Sequence, residues 1–370
     1  MILLFLTCIL FIGYSLLLFR FLQSWKKLAL FQPNHTASTR ISVIIPARDE
    51  EHNIGPLLRA LQQQSYPAAF TEIIVVDDHS TDRTAEIVQS FPAVTLIRLQ
   101  EEGINSYKKK AIEKGIAAAT GELIVTTDAD CIPGRDWLNS IAAFKEEKQA
   151  VFIAAPVVFS HNQSILQVFQ ALDFLVLQGI TAAGVHSRSL SMCNGANMAY
   201  TKDAFLAVDG FKGIDQLASG DDMLLMHKIS TAFPGKTHYL QSKDAIISTA
   251  PMQSWSAFFN QRIRWASKAR SYSDKRIFAV LLLVYLFNLS FAVSFIAGFW
   301  EPRYWLLLAA AWIGKTLVEF PFVYGVAGFY GKRSLLNWFF LFQPLHIIYT
   351  ISSGLLGQFG TYEWKGRKVK

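Results

Sequence analysis

Acidic residues follow three short apolar runs in the middle of the chain. Glu50 comes after Ser42–Ile45, Asp78 after Glu72–Val76, and the pair Asp128 and Asp130 after Glu122–Thr126. Residues two apart in an extended segment point to the same side, so Asp128 and Asp130 could face one cation. Carboxylate and phosphate oxygens suit Mg²⁺ or Mn²⁺. The spacing therefore predicts a divalent-cation site.

The elements that position these acids alternate between short strands and helices. Predicted strands are Ser42–Ile45, Glu72–Val76, Ala93–Arg98 and Glu122–Thr126, and predicted helices are Asn53–Gln64, Thr81–Gln89 and Lys109–Ala119. This alternation is typical of an α/β domain with a parallel, doubly wound sheet. Ligands of such sheets bind at the carboxyl ends of the strands, where the acids lie.

Sequence motifs of several other protein classes are missing. No GxGxxG follows the first strand and no GxxxxGK[ST] occurs, which disfavours a dinucleotide enzyme and a P-loop NTPase. The three cysteines are widely spaced, which excludes a disulfide framework and a thiolate zinc site. Phosphate would then be neutralised by metal and by cations such as Lys108, Lys109 and Arg264. The basic run 108–110 also fits the solvated start of a helix, and that alternative stays open.

The composition indicates membrane-embedded segments. Hydrophobic residues make up 52% of the 370 residues and charged residues 17%, whereas soluble chains carry about 25% charged residues. Four apolar runs are long enough to cross a hydrocarbon core of about 30 Å. They are residues 1–19, Ile277–Trp300, Tyr304–Tyr330 and Ser334–Gly360.

The basic residues beside these runs predict the membrane orientation. Lys26, Lys27 and the cluster 268–276 flank the first two runs, so the positive-inside rule places everything between them in the cytoplasm. The formal net charge of +7 then reflects topology. If successive spans alternate in direction across the membrane, the basic tail, 365–370, lies outside, which contradicts the positive-inside rule. Either the third span, which contains Lys315 and Glu319, is re-entrant, or these two charges pair within the bundle.

Five motifs in the same order resemble the family 2 inverting glycosyltransferases, which include cellulose, chitin and poly-N-acetylglucosamine synthases and the ceramide glucosyltransferases. The motifs are Ser42-Val-Ile-Ile-Pro-Ala-Arg-Asp-Glu50, Val75-Val-Asp-Asp-His-Ser-Thr-Asp82, Thr127-Asp-Ala-Asp130, Ser219-Gly-Asp-Asp222 and Gln261-Arg-Ile-Arg-Trp265. The resemblance spans about residues 40–270 and extends to the apolar carboxy-terminal bundle. It implies a GT-A fold, a Rossmann-like nucleotide-sugar-binding domain.

The resemblance also implies roles for the strand-end residues. Ala47, Glu50 and Asp78 would contact the nucleoside, and Asp128 would lie near the ribose or the donor sugar. Asp130 would bind the divalent cation, Mg²⁺ or Mn²⁺, on the diphosphate. Lys109 joins this predicted donor site as a phosphate cation.

The predicted general base is Asp222, at the position of the family's later acid. The family usually has Glu before this position, and Asp221 stands there instead, so either aspartate is a candidate. A base opposite the leaving group takes the proton of the acceptor hydroxyl and inverts the anomeric centre. The alternative for this pair is an N-cap of the predicted helix Met223–Ser230.

The acceptor side is predicted from three segments. Trp255–Tyr272 is amphipathic and fits an interfacial helix, in which Trp265 could stack on the acceptor sugar and Arg264 or Gln261 could meet the diphosphate. The segment Cys193–Ala199, with Asn194, resembles one that lines the family's acceptor pocket. The low-charge stretch 163–185 contains several glutamines and Asp173, which favours a buried helix near the acceptor channel over a further span.

The predicted protein is an inner-membrane inverting glycosyltransferase with a cytoplasmic catalytic domain. It would transfer a sugar from a nucleotide sugar, a UDP-sugar, to a lipid or glycan acceptor. The predicted parts are a transmembrane helix at 1–22, a GT-A domain at 39–250, an interfacial segment at 251–276 and a transmembrane bundle at 277–362. The alternatives are a processive polysaccharide synthase and a non-enzymatic sugar-nucleotide sensor or scaffold. Nucleic acid is disfavoured because the cations cluster beside the apolar spans.

Overall fold

The computed structural model describes residues 2–160, 164–217, 220–268, 274–358, 362–364 and 367–369. Gln163, Ser219 and the side chains of the basic tail lie outside the described residues. The chain divides into two compact units. The helical unit comprises residues 1–28, 161–190 and 251–362, and the sheet unit comprises residues 29–160, 191–250 and 363–370.

The helices and strands have the following bounds in chain order. The helices are α1 Ile2–Lys27, α2 Ile54–Gln62, α3 Thr84–Gln89, α4 Tyr107–Ala118, α5 Trp137–Lys148, α6 Ile165–His186, α7 Lys202–Ala207, α8 Met223–Ala232, α9 Trp255–Ser267, α10 Lys275–Ala297, α11 Arg303–Phe329 and α12 Phe339–Leu356. The strands are β1 Ile41–Ala47, β2 Thr71–Asp77, β3 Val94–Arg98, β4 Leu123–Thr126, β5 Cys131–Pro133, β6 Phe152–Ala154, β7 Val157–Phe159, β8 Met198–Thr201, β9 Thr237–Tyr239, β10 Ile247–Thr249, β11 Tyr362–Trp364 and β12 Arg367–Val369.

The main sheet of the sheet unit has the order β3-β2-β1-β4-β8-β6-β9. Strands β3, β2, β1 and β4 run parallel, with Ile44 opposite Ile74 on one side and Thr126 on the other. Strand β8 runs antiparallel to both β4 and β6, so the main sheet is mixed, and the predicted parallel arrangement holds for β1 to β4. A second sheet has the order β5-β10-β7. The carboxyl ends of β1, β2 and β4 meet at one edge of the main sheet, as predicted.

Buried aliphatic residues hold the helices against this sheet. Val43, Ile44 and Ile45 of β1 are fully buried, and α4 packs on β1 and β2. A Cβ on Gly115 of α4 would lie 2.6 Å from a methyl carbon of Ile44, so this close approach requires glycine. Strand β1 extends through Pro46 to Ala47, two residues beyond the predicted end at Ile45. Strand β4 pairs with β1 only as far as Ile44, so Pro46 lies where β1 has a neighbour on one side only, a position that proline tolerates.

The helical unit contains, among the described residues, five helices that are long and apolar enough to cross a membrane, the composition of an integral membrane protein. Four of them, α1, α10, α11 and the segment Arg333–Leu356, correspond to the predicted spans. The fifth is α6. In its most apolar stretch 83% of the residues are buried inside the structure, whereas in the other four helices the share is 17–33%. The prediction of a buried helix over this stretch is confirmed. Helix α6 groups with the helical unit, although the sequence assigned it to the GT-A domain.

The two charges within α11 pair with each other. Lys315 Nζ lies 2.7 Å from Glu319 Oε1, and both side chains are at most 9% exposed. Gln343 of α12 contacts both, accepting from Lys315 at 2.5 Å and donating to Glu319 at 2.6 Å. Tyr14 of α1 also donates to Glu319. The alternative of pairing within the bundle is therefore what the structure has.

Candidate active site

Lys108 joins two of the predicted site carboxylates in the sheet unit. It lies in the first turn of α4, and its ammonium is 2.7 Å from Asp128 Oδ1 and 3.1 Å from Asp221 Oδ2. Burial alone would lower the pKa of Lys108, but Asp128 and Asp221 raise it well above its usual value. The lysine therefore carries a full positive charge between the DxD motif and the predicted base motif.

Lys109, the predicted phosphate cation, points elsewhere. It is 1% exposed, and its ammonium donates to the backbone carbonyls of Ile214 and Leu217 at 2.6 Å each. These contacts hold the segment that precedes α8. Lys108, not Lys109, is thus the lysine beside the carboxylates. Successive helix residues diverge by about 100°, so neighbouring lysines face different surroundings.

Asp130 follows Asp128 in the turn between β4 and β5. Its Oδ2 accepts a hydrogen bond from Thr249 of β10 at 3.2 Å. Burial, with the charges of Asp128 and Glu50 added, raises the pKa of Asp130. The carboxylates of Asp128 and Glu50 are therefore each close enough to repel that of Asp130. No group of three or more His, Cys, Asp or Glu side chains within the described residues is arranged to hold a metal ion.

The residues predicted to contact the nucleoside lie where β1 and β2 end. The backbone N–H of Asp78 donates to the carbonyl of Ala47 at 2.8 Å, and Arg48 donates to the carbonyl of Asp78 at 2.8 Å. Glu50 begins the next loop, and its N–H donates to Thr84 of α3 at 2.7 Å. An open cleft of about 490 Å³ lies beside this region. Its walls come from the ends of β2 and β3 and from α3, and they include Asp77, whereas Ala47, Glu50 and Asp78 do not line it.

The two candidate bases, Asp221 and Asp222, have different surroundings. Asp221 is 6% exposed and contacts Lys108. Asp222 is half-buried, and its carboxylate accepts from the N–H of Met223 at 2.7 Å, so it caps α8. The N-cap alternative therefore holds for Asp222, and capping leaves its second carboxylate oxygen available for other contacts.

The loop 193–197 lies against this cluster. The side chain of Asn194 accepts from the N–H of Ala196 at 3.0 Å and shapes the turn. A Cβ on Gly195 would lie 3.1 Å from Asp221 and 3.4 Å from Lys108, so glycine allows the backbone to approach both groups. Burial raises the pKa of the Cys193 thiol, and Asp222 and Asp221 raise it further. Cys193 is thus a protonated, buried side chain.

Sequence reasoning missed Asn197 in the same loop. Its amide nitrogen donates to the carbonyls of Pro156 and Ala245 at 2.8 Å each, and its oxygen accepts from the Trp137 indole at 3.0 Å. Asn197 is fully buried. The sequence held one signal, a second asparagine just before a β-strand, without indicating its partners.

The remaining predicted residues lie in α9 of the helical unit. Gln261, Arg264 and Trp265 are each partly exposed, and their i, i+3, i+4 spacing puts them on one face of the helix. Arg262, between them in sequence, is buried and pairs with Asp173 of α6 at 2.7 Å. The acceptor and diphosphate roles of the three partly exposed residues remain predictions.

Comparison with known proteins gives a family. Residues 42–207 match the model of Glycosyl transferase family 2. The chain is 25% identical over 234 residues to the probable glycosyltransferase YdaM of Bacillus subtilis, covering 61% of this chain and 54% of that protein. It is 22% identical over 320 residues to beta-monoglucosyldiacylglycerol synthase of Synechocystis, covering 78% of this chain and 63% of that protein. The chain thus spans about half to two thirds of these curated relatives.

A solved structure shares the fold. The mannosyltransferase PcManGT from Pyrobaculum calidifontis, in complex with GDP-Man and Mn²⁺, superposes with a TM-score of 0.63 at 20% sequence identity. The match covers 95% of this chain and 98% of that one. The solved structure confirms the predicted GT-A fold, and the match of residues 42–207 shows that the chain carries a family 2 glycosyltransferase domain, as predicted.

Proposed function

We propose that this chain is a membrane-bound inverting glycosyltransferase that transfers a sugar from a nucleotide-sugar donor to a lipid or glycan acceptor. The observation that carries the proposal is the position of the Lys108 ammonium between Asp128 and Asp221. The ammonium of Lys108 thus links Asp128, predicted beside the donor sugar, to Asp221 of the acid pair predicted to activate the acceptor. A transfer reaction needs both groups at one centre.

The donor would bind at the carboxyl ends of β1, β2 and β4. Ala47, Glu50 and Asp78 would contact the nucleoside, and Asp128 the donor sugar. The ammonium of Lys108 is charged and partly exposed, with 22% of its side chain accessible, so it can also meet the diphosphate. The similar PcManGT was solved with GDP-Man, which supports a nucleotide-sugar donor. We propose a UDP-sugar for this chain.

We propose that a divalent cation binds at this edge through Asp130, although the described residues contain no preformed cluster of three ligands. Asp128 and Asp130 lie two residues apart, and the carboxylate of Glu50 is near enough to raise the pKa of Asp130. Hard oxygen ligands crowded in this way favour Mg²⁺ or Mn²⁺, and PcManGT was solved with Mn²⁺. Asp130 would be the protein ligand. When bound, the cation would offset the charge that develops on the departing diphosphate.

The chain's own residues would carry the proton transfer. Asp222 is fixed by its bond to the N–H of Met223, which orients the carboxylate without protonating it. It would take the proton of the acceptor hydroxyl as that oxygen attacks the anomeric carbon from the side opposite the diphosphate, inverting the centre. Asp221, in contact with Lys108, would hold that lysine toward Asp128.

A lipid acceptor is favoured over a growing polymer. One relative, which matches over most of this chain, is a synthase of monoglucosyldiacylglycerol. Four apolar helices with exposed faces give the chain a membrane unit, which is small for a polymer-conducting tunnel. Gln261, Arg264 and Trp265 would serve the acceptor and diphosphate, together with Asn194. Basic residues beside the spans favour a cytoplasmic catalytic domain in the inner membrane.

The test uses membranes that contain the full chain. They are incubated with radiolabelled UDP-glucose, UDP-N-acetylglucosamine or GDP-mannose, with Mn²⁺ or with EDTA, and then extracted with organic solvent. Mn²⁺-dependent label in the organic phase is the expected result with a UDP-sugar, and label in insoluble polymer would mean a processive synthase. Asp130→Ala should abolish this label while the protein remains folded. No label above vector membranes with any donor would contradict the proposed function.

A further inference from the structure

Arg262 is the buried member of the Gln261-Arg-Ile-Arg-Trp265 motif. Among the residues of α9, only Phe258 and Arg262 are buried. The guanidinium of Arg262 donates to Asp173 Oδ2 of α6 at 2.7 Å, and the two side chains are 3% and 4% exposed. One ion pair therefore ties the motif helix to the buried helix of the unit.

Asp173 is held from a second side by α12. The hydroxyl of Tyr349 donates to Asp173 Oδ1, and the His346 ring nitrogen lies 4.0 Å from the same oxygen. Both carboxylate oxygens thus have partners. Because three helices meet at this one carboxylate, its removal would leave a buried guanidinium without its counter-ion, a strongly unfavourable arrangement.

The guanidinium of Arg262 also contacts Trp265. Its central carbon lies 4.2 Å from the centroid of the Trp265 ring and 5.0 Å from that of Phe258. These rings lie one turn away on either side of Arg262 along the helix, and both are within cation–π distance of its guanidinium. The guanidinium of Arg262 is therefore packed against the indole of Trp265.

Helix geometry links this anchor to the exposed face of α9. With about 100° per residue, Gln261, Arg264 and Trp265 lie on one face, and Arg262 lies next to it on the side of Trp265. Anchoring Arg262 sets the rotation of α9 about its axis. The anchor therefore orients the partly exposed face that carries Gln261, Arg264 and Trp265, although none of these three residues is itself buried.

We propose that Asp173 is a positioning residue for sugar transfer: it acts through Arg262 to orient Trp265 toward the acceptor. This inference rests on the proposed function. Asp173 itself would touch neither donor nor acceptor. Displacement of a substrate-contacting group by about 1 Å can lower a rate by about a hundredfold, so loss of the anchor should be visible in turnover.

The first measurement is a mutant cycle on transfer by the full chain in membranes, with the donor that labels wild-type membranes. Asp173→Asn should lower the transfer rate at saturating donor about tenfold or more and leave the donor KM within about threefold. In a Trp265→Ala background, Asp173→Asn should cost less than about threefold, because the residue through which it acts is already gone. Equal costs in both backgrounds would overturn the inference.

The control variant is Glu319→Gln, which changes another buried acid of the same unit that pairs with Lys315 and not with α9. Its effect on transfer should be equal in both backgrounds. If Asp173→Asn does not fold, Tyr349→Phe replaces it. This change removes only the hydroxyl that holds Asp173, so the same non-additivity with Trp265→Ala is expected at a smaller size, about threefold.

A second measurement does not depend on activity. Hydrogen exchange of the purified chain in detergent should show amides of Trp255–Ser267 exchanging about tenfold faster in Asp173→Asn, with α5 unchanged. Unchanged exchange in α9 would overturn the anchoring itself. If wild-type membranes transfer no sugar, the proposed function fails, and faster exchange in α9 would then leave an anchor without the role in transfer that we assign to it.

Discussion

The two units of the molecule use charged side chains in different ways. In the helical unit, Lys315 pairs with Glu319 and Arg262 with Asp173, one cation to one carboxylate, and these side chains are 1–9% exposed. In the sheet unit, one ammonium, that of Lys108, is influenced by three carboxylates, those of Asp128, Asp221 and Asp222. The side chain of Asp128 is 36% exposed there.

This difference separates charges that hold structure from charges that can exchange partners. A buried pair with matched charge has no reason to take up a ligand, and breaking it leaves an uncompensated ion. A partly exposed cluster with excess negative charge favours cations and the hydroxyl groups that donate to carboxylates. We therefore expect changes in the sheet-unit cluster to affect turnover directly. Changes in the helical-unit pairs should lower stability, and they should lower turnover only where a pair positions a residue of the acceptor site, as we propose for Arg262 and Asp173.

The largest effect is expected from Asp222→Asn. Asparagine caps helices as well as aspartate does, so the bond to the N–H of Met223 should be kept and the unfolding temperature unchanged. Loss of a general base should lower transfer about 10²–10⁴-fold. Transfer of labelled sugar per folded molecule measures this. If Asp221→Asn is inactive and Asp222→Asn is active, the base is Asp221 instead.

The second-largest effect is expected in the helical unit, from the pair Lys315 and Glu319. Lys315→Met leaves Glu319 as a buried charge without its counter-ion, and we expect a loss of about 3–5 kcal/mol in stability. Thermal unfolding in detergent would report it as a lower midpoint. The double variant Lys315→Met/Glu319→Gln removes both charges and should recover most of the loss. A single variant as stable as wild type would mean that this pair holds nothing in place.

A smaller effect is expected in the sheet unit from the loss of Asn197, an uncharged side chain that holds its neighbours by hydrogen bonds. Asn197→Ala removes the acceptor of the Trp137 indole N–H and a donor to the buried carbonyl of Ala245, while the carbonyl of Pro156 keeps the N–H of Ile247; we expect a cost of about 1–3 kcal/mol. Transfer per folded molecule should be retained. Asn194→Ala is the matched control, because its side chain bonds only locally, to the N–H of Ala196. Equal destabilisation by both changes would contradict the structural role of Asn197.

Much of the sheet unit could be predicted because its determinants are local. Strands β1 to β4 and helices α2 to α4 were expected within three residues at each end, since apolar runs, loop residues and strand-end acids follow one another in sequence. The antiparallel direction of β8 was not expected. It returns to the sheet after α6, and nothing near Met198–Thr201 indicates that its neighbours would be β4 and β6.

Contacts between distant residues account for what the sequence did not show. Asp173 and Arg262 are 89 positions apart, and an acid in an apolar helix predicts only that some partner exists. The choice between Lys108 and Lys109 depends on the rotation of α4 against the sheet, which a run of three lysines leaves open. The pairing of Lys315 with Glu319 was foreseeable because the i, i+4 spacing is local.

The central claim, that the cluster of Asp128, Lys108 and Asp221 is the reaction centre, is tested most directly by replacing each of two neighbouring lysines. The variants Lys108→Met and Lys109→Met are compared by their transfer per folded molecule and by their unfolding temperature. Lys108→Met should lower transfer about a hundredfold with little change in unfolding temperature. Lys109→Met, which removes the buried ammonium that donates to the carbonyls of Ile214 and Leu217, should lower the unfolding temperature and retain transfer. Full transfer by Lys108→Met would contradict the assignment of the Asp128, Lys108 and Asp221 cluster as the reaction centre.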